Sequence, residues 1–389
     1  MKEFVWQSAA CKTLCRPGAL EALGAEVATL GAQRLMLLSG GRSARGMAAQ
    51  RVRAALGSRI VAAFDAIPQH SGVDTVEAIA AQAREQRIDG FVAVGGGSAS
   101  DTAKAVAILL AEGGRLADHA NVFYPPDRYV QKILPHDKLP VIAVPTTLSA
   151  AEVTPGLGIR DEHGHKLVFW DHHVVPRLIV LDGDACVDVP AQVFATTGMN
   201  AVAHCVEGLY SKVRNPVSEG LALQGLRVLS RSLPAVVRDP ADRDARAEAL
   251  VGALLSGLVI SNARVGIHHG VCHGLGSLGG LPHGVANAIL LPHAMRFNLE
   301  HATPQLALAA QALGQDTRGL SEIDAARRAV AAIEQLQRDI RVPLRLSEAG
   351  LDRGLFPRLA KGAMSDRGLY FNPRLASEAE VLQLLEAAW

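Results

Sequence analysis

The sequence has little that would send its 389 residues to a membrane, a secretory route or a nucleic acid. Its longest apolar run, LVGALLSGLVISNA, stops at Arg264 and is too short to cross a bilayer comfortably. The N-terminus, MKEFVWQSAACK, lacks the apolar segment of a signal peptide. Five cysteines, Cys11, Cys15, Cys186, Cys205 and Cys272, are too scattered for a disulfide framework. Reduced thiols in the cytoplasm are therefore expected. Lysine and arginine number 39 against 38 acids, so nothing implies a polyanionic partner. No block of like charge, low-complexity tract or solenoid-length repeat interrupts an ordinary globular balance.

The most telling absence is local. From Val265 to Met295 there is no Asp, Glu, Lys or Arg, yet the stretch carries His268, His269, His273, His283 and His293. A segment so poor in charge is expected to be buried. Its histidines are then metal ligands, catalytic groups or packing residues, and the stretch alone leaves the three open.

What is present reads as two regions. QRLMLLSGG, RIVAAFDAI, DGFVAVGGGS and LPVIAVPTT are strand-like runs. GMAAQRVRAALG, VDTVEAIAAQAREQRI and ASDTAKAVAILLAEGG alternate with them as helices. That alternation predicts a parallel sheet with helices on both faces. Beyond PRLIVLDGDACVDVP the period becomes helical, as in SEGLALQGLRVLSRSLPAVV. The expected architecture is an α/β domain over 1–185, an all-helical domain over 186–389, and a cleft between them.

VAVGGGSASDTAK puts Gly95, Gly96, Gly97 and Ser98 at a strand end, with a helix opening at about Ser100. Glycines let an anion approach the backbone, and the helix N-terminus favours a diphosphate. VPTTLSAAEVT places Thr146, Thr147 and Ser149 at the next strand end, where an α/β crevice binds its ligand. Strand RLMLLSGG ends at Gly40 with no acid for ribose hydroxyls. Arg42 and Arg45 follow, so a 2′-phosphate is not repelled and either NADH or NADPH is expected.

GGGSASDTAK, PTTLSAAEVT, GMNAVAHCVE and HHGVCHGLGSLGGLPHGVANAILLPHAM, in this order, resemble the iron-containing (group III) alcohol dehydrogenases over nearly the whole chain. Within that superfamily GIHHGVCH, GMNAVAHCVEGLY and NPRLASEAEVLQLLEAAW are most similar to maleylacetate reductases. The resemblance implies a dehydroquinate-synthase-like fold, a nicotinamide cofactor and a homodimer. It implies that Gly96, Gly97 and Ser98 hold the diphosphate, that Thr146, Thr147 and Ser149 line the nicotinamide side, and that Lys166 approaches the ribose. Asp101 and Lys104 match the dehydrogenase pattern GGGSxxDxAK, whereas maleylacetate reductases more often have glycine where Asp101 stands.

In metal-dependent relatives an Asp and a His four residues apart join two further histidines around the ion. The matching positions here are Asn200, His204, His269 and His283. Asn removes the one anionic ligand, so a buried divalent ion would keep both charges uncompensated. The expectation is a metal-free site in which Asn200, His204, His269, His273 and His283 act on substrate. The alternative is iron or zinc held by His204, His269 and His283. A dianionic enone carries its own electron sink, whereas a simple alcohol or ketone depends more on a Lewis acid. The reading is NAD(P)H-dependent reduction of maleylacetate, or a close 2-ene-4-oxo dicarboxylate, to 3-oxoadipate in aromatic-compound degradation. Two rivals remain: a metal-dependent alcohol dehydrogenase on a small alcohol, which Asp101 favours and Asn200 opposes, and a sugar-phosphate cyclase-like lyase, which the charge-free stretch opposes.

Overall fold

The computed structural model describes residues 3–389. The strands are β1 (Lys12–Cys15), β2 (Leu35–Ser39), β3 (Ile60–Phe64), β4 (Gly90–Gly95), β5 (Val122–Tyr124), β6 (Arg128–Val130), β7 (Val141–Pro145), β8 (Gly156–Arg160), β9 (Lys166–Trp170) and β10 (Leu178–Leu181). Six of them form one parallel sheet in the order β1-β10-β7-β4-β2-β3. The central strands β2, β4, β7 and β10 are buried along their whole length. That is why they read as continuous aliphatic runs rather than alternating ones.

Helices α1 (Leu23–Thr29), α2 (Met47–Leu56), α3 (Val73–Glu85) and α4 (Gly97–Glu112) cover this sheet. α4 opens at Gly97, three residues earlier than the expected Ser100. Gly97 lacks a Cβ that would press on Ser149 Oγ, so the helix starts directly at the strand end. The sequence reading did not foresee two antiparallel hairpins, β5–β6 and β8–β9, which stand off the main sheet.

The second half is helical: α5 (Ala191–Tyr210), α6 (Pro216–Arg238), α7 (Arg243–Ala263), α8 (Ile267–Ser277), α9 (His283–Asn298), α10 (Thr303–Ala312), α11 (Glu322–Asp339), α12 (Phe356–Ala363) and α13 (Glu378–Ala387). Side chains set several starts. Asn215 and Ser218 close a reciprocal capping box on α6, and Ser377 and Glu380 do so on α13. The charge-free stretch is mostly buried, as expected, but Ser277, the last residue of α8, and Leu278 after it are exposed.

One apolar core crosses from sheet to helices. Ala143, Leu148, Ile179 and Leu181 pack with Phe194, Met199 and Val202 of α5 and with α6, α7 and α11. The fully buried Arg246 secures this junction. It donates to the carbonyls of Cys186 (2.7 Å), Pro240 (2.8 Å) and Val189 (2.9 Å), and its guanidinium lies 4.6 Å from the Phe194 ring. The turn after β7 is held against α5, where Leu148 N–H donates to Thr197 Oγ1 at 3.1 Å. Among the described residues no single helix is long and apolar enough to cross a membrane.

Candidate active site

The first wall of the cleft is built from turns. β4 ends at Gly95 with φ 139°, a conformation that favours glycine. A Cβ on Gly96 would lie 3.1 Å from Thr147 Oγ1, and one on Gly97 3.3 Å from Ser149 Oγ. The two turns therefore meet, leaving a concavity lined by glycine backbone, the start of α4 and two hydroxyls. Thr146 is buried, and its N–H donates to Gly95 O at 2.9 Å, fixing one turn to the other. Ser98 Oγ accepts from the N–H of His70 at 3.1 Å.

Asp101 and Lys104 lie beneath this concavity. The buried Lys104 ammonium donates to the carbonyls of Ala151, Thr154 and Gly156, which fixes the loop after β7 onto α4. Asp101 Oδ2 accepts from Gly158 N–H at 3.1 Å, while its buried Oδ1 has no hydrogen-bond partner. Burial pushes Asp101 up and Lys104 down, each partly offset by the other. Lys166 stands on β9 beside Gly158, and with His70 and Arg160 it lines the cleft opposite His273, Ser277 and His283.

At the end expected to meet the ribose, Gly40 directly follows β2. The neighbouring strand nevertheless supplies an acid: Ser39 Oγ donates to Asp65 Oδ1 at 3.1 Å, and Arg53 pairs with Asp65 at 2.9 Å. Only the parallel pairing of β2 with β3 brings Asp65 there.

The second wall is built from imidazoles on three helices. Asn200 and His204 are one turn apart on α5, His269 and His273 one turn apart on α8, and His283 opens α9. Ring centroids are 4.8 Å apart for His204–His269, 5.8 Å for His269–His283, 5.9 Å for His273–His283 and 6.2 Å for His269–His273. The structure thus gathers every residue of the expected cluster. His293 lies apart, beside Glu334 and Arg338.

Three of the four rings are oriented by a partner. Ser256 Oγ–H is given to Ala253 O at 2.8 Å, so Ser256 Oγ accepts from His204 Nδ1–H at 3.3 Å. His269 Nδ1–H donates to Glu207, whose other oxygen accepts from Gly266 N–H at 2.8 Å. His273 Nδ1–H donates to Asp366 Oδ2 at 2.7 Å, and Asp366 Oδ1 accepts from Gly368 N–H at 2.7 Å. These bonds leave Nε2 of each ring available. Asn200 Nδ2 donates to Ser149 O at 3.3 Å, which turns Oδ1 to within 3.1 Å of His269 Nε2. That contact is a hydrogen bond only when His269 carries both protons. Otherwise it is a pair of acceptors that a substrate donor can bridge.

Burial, then the neighbouring imidazoles, hold His204 and His283 well below the usual range, so both are neutral. Burial also lowers His269, against the pull of Glu207. Glu207 stays ionised: burial opposes this, but His269 and His268 outweigh it. His268 is fully buried. Its Nε2–H donates to Asn287 O at 3.0 Å, the pattern of a satisfied packing histidine.

The sequence reading names neither Glu207 nor Asp366, the carboxylates that orient His269 and His273. Glu207 sits three residues after His204 on the same helix, a spacing that could have drawn attention to it. Asp366 is 93 positions from His273 and gives no local signal. Donor atoms of Glu207, His268 and His269 lie within 4.8 Å of one another, the spacing of a metal-binding group, on the far side of His269 from Asn200.

Comparison with known proteins agrees along the chain. Residues 10–183 match the model for "Iron-containing alcohol dehydrogenase", and residues 194–389 that for "Fe-containing alcohol dehydrogenase family, C-terminal". The 1,3-propanediol dehydrogenase of Klebsiella pneumoniae is 35% identical over 332 residues, 85% of this chain and 83% of that protein. Maleylacetate reductase 1 of Cupriavidus pinatubonensis is 32% identical over 385 residues, 99% of this chain and 96% of that protein. The crystal structure of a 1,3-propanediol oxidoreductase superimposes with a TM-score of 0.93 at 30% identity, covering 100% of both chains.

Proposed function

Because this chain belongs to the iron-containing alcohol dehydrogenase family, a family of oxidoreductases, we propose that it reduces the conjugated double bond of maleylacetate, or a close 2-ene-4-oxo dicarboxylate, with NAD(P)H. The carrying observation is Asn200. It occupies the position of the anionic ligand, its Nδ2 donates to Ser149 O, and its neutral Oδ1 faces His269 Nε2. The near full-length match to a maleylacetate reductase supports the same reading.

The family name implies a metal, and the donor set here fits one poorly. Three neutral imidazoles and one amide would leave a divalent ion with two uncompensated charges in a buried place. Glu207 already accepts from His269 Nδ1–H and Gly266 N–H, and its other neighbour is His268 at 3.7 Å, on the far side of His269 from Asn200. No step below uses a metal.

The residues suit a nicotinamide dinucleotide. The Gly96–Gly97 concavity and the start of α4 would take the diphosphate, Thr146, Thr147 and Ser149 the nicotinamide side, and Lys166 the ribose. Bound there, the cofactor supplies one hydride to the alkene carbon remote from the ketone. The pair of electrons displaced from the double bond moves onto the ketone oxygen. His283 can donate a ring N–H to that oxygen, whereas His269 donates there only when it carries a proton on both nitrogens, a state that Glu207 favours and burial opposes. His273, oriented by Asp366 through Nδ1–H, presents Nε2 to the cleft and relays a proton from it to the enolate carbon beside the ketone. One hydride and one proton saturate the bond.

A second reading, a metal-dependent alcohol dehydrogenase, is favoured by the inward Nε2 atoms of His204 and His269 and by the 1,3-propanediol dehydrogenase match. Oxidation of NADH by freshly made maleylacetate, with and without chelator, separates the two. The expected result is turnover indifferent to chelator and far less than one metal per chain by elemental analysis. Asn200→Asp should retain more zinc or iron without faster enone reduction. Stoichiometric metal, inactivation by chelator and turnover of small alcohols would establish the second reading instead.

A further inference from the structure

Arg264 and Arg367 stand out among the charged residues the mechanism does not use. Arg264 ends α7 with φ 65°, a left-handed conformation that costs any residue bearing a Cβ. Its guanidinium lies 3.8 Å above the Trp170 ring at the end of β9. Arg367 lies 3.5 Å above Tyr129 of β6 and 5.0 Å from the Phe371 ring. Both side chains therefore reach from the helical wall to the hairpins of the opposite wall.

Both are half-buried, and no carboxylate forms an ion pair with either among the described residues. The groups facing them are Trp170, Tyr129, Phe371 and His172. Burial, then the field of Arg367, lowers Arg264 to about 10. Two neighbouring guanidinium groups without an anion are unfavourable on their own and become favourable when an anion arrives. Stacking on Trp170 fixes the planar fork of Arg264 with its edge N–H groups open, while Arg367 also bonds the Tyr129 hydroxyl.

Their positions tie them to the histidine cluster. Arg264 is two residues before Gly266, which shares Glu207 with His269. Arg367 directly follows Asp366, the partner of His273. The nearest acid is thus already engaged by His273 and Gly368.

We propose that Arg264 and Arg367 form a carboxylate-recognition site that makes this enzyme select dianionic substrates over neutral ones. The proposal rests on the enone-dicarboxylate reading and assigns that substrate's charged end to named residues. Arg264 takes a carboxylate through its open fork, and Arg367 supplies the second positive charge.

The test uses full-length Arg264→Met, Arg264→Lys and Arg367→Met, with folding checked by circular dichroism. Each is assayed with maleylacetate and with its neutral dimethyl ester, and NADH and NADPH binding is measured by fluorescence. In Arg264→Met the ratio of kcat/KM for the dianion over the ester should fall by about 10²-fold, mainly through KM, the scale for removing one partner of a buried charge pair. Arg264→Lys should recover part of it, since lysine keeps the charge and loses the fork. Arg367→Met should lower the ratio less. An unchanged ratio, or equal losses on both substrates, overturns the proposal. So does a loss confined to NADPH binding, which would make this a cofactor-phosphate site. If wild-type enzyme does not reduce maleylacetate, the enone reading fails by itself. The arginine pair is then judged by glutarate inhibition of whatever carbonyl or alcohol turnover is found. Inhibition that Arg264→Met abolishes keeps the anion site, and equal inhibition in both proteins removes it.

Discussion

On the α/β wall, the turns Gly95–Ser98 and Thr146–Ser149 offer backbone N–H groups and short hydroxyls. On the helical wall, four imidazoles stand on three helices, each of His204, His269 and His273 oriented by a partner through Nδ1. The first wall works by leaving room, and the second by holding side chains in place. A cradle made of backbone is vulnerable to an added atom. A cluster made of side chains is vulnerable to a lost one.

Substitutions should therefore separate the walls, and the largest effect is expected on the helical side. His269→Ala should lower kcat by roughly 10²–10⁴-fold, the range for losing a positioned polarising or acid–base group. NADH affinity, measured by fluorescence, should be unaltered; a parallel loss of cofactor binding would mean that the walls are not separable. The converse change on the α/β side is smaller. Gly97→Val places atoms against Ser149 and Ala151, and should weaken NAD(P)H by roughly 10–100-fold in a folded protein, as overpacking of a tight site does. Normal cofactor affinity in that variant would remove the diphosphate assignment. The smallest effect concerns the ribose end. Arg42 and Arg45 remain exposed, and Asp65 is paired with Arg53. NADPH should thus be used within about tenfold of NADH in kcat/KM, since exposed ion pairs are worth little. Strict NADH selectivity would show that Asp65 governs the pocket after all.

The same contrast explains what could be read in advance. A backbone cradle is contiguous in sequence: GGGS ends one strand and PTT the next, so residue type and order suffice to find it. The spacings Asn200–His204 and His269–His273 were equally legible, because four residues make one helical turn. The partners that orient the rings were not. Asp366 reaches His273 from a turn far along the chain, and Asp65 reaches Ser39 only through strand pairing. The β8–β9 hairpin carried a usable signal in GLGIR and KLVFW flanking a glycine-containing turn. Its two strands form a separate sheet and so fall outside the strand–helix alternation that marks the parallel one. Trp170 and Tyr129, the platforms for the two arginines, went unseen with the hairpins that carry them.

The core shared by β7, β10 and α5, fastened by Arg246, bears on how the enzyme turns over. A close-packed seam does not stretch, so the cleft is joined permanently along that side. On the opposite side Arg264 and Arg367 meet the hairpins chiefly through ring faces, so opening of the cleft is expected there. Hydrogen exchange should accordingly slow on cofactor and substrate binding in the β5–β6 and β8–β9 hairpins, with residues 186–190 unaffected. Protection appearing first in 186–190 would put the hinge on the other side.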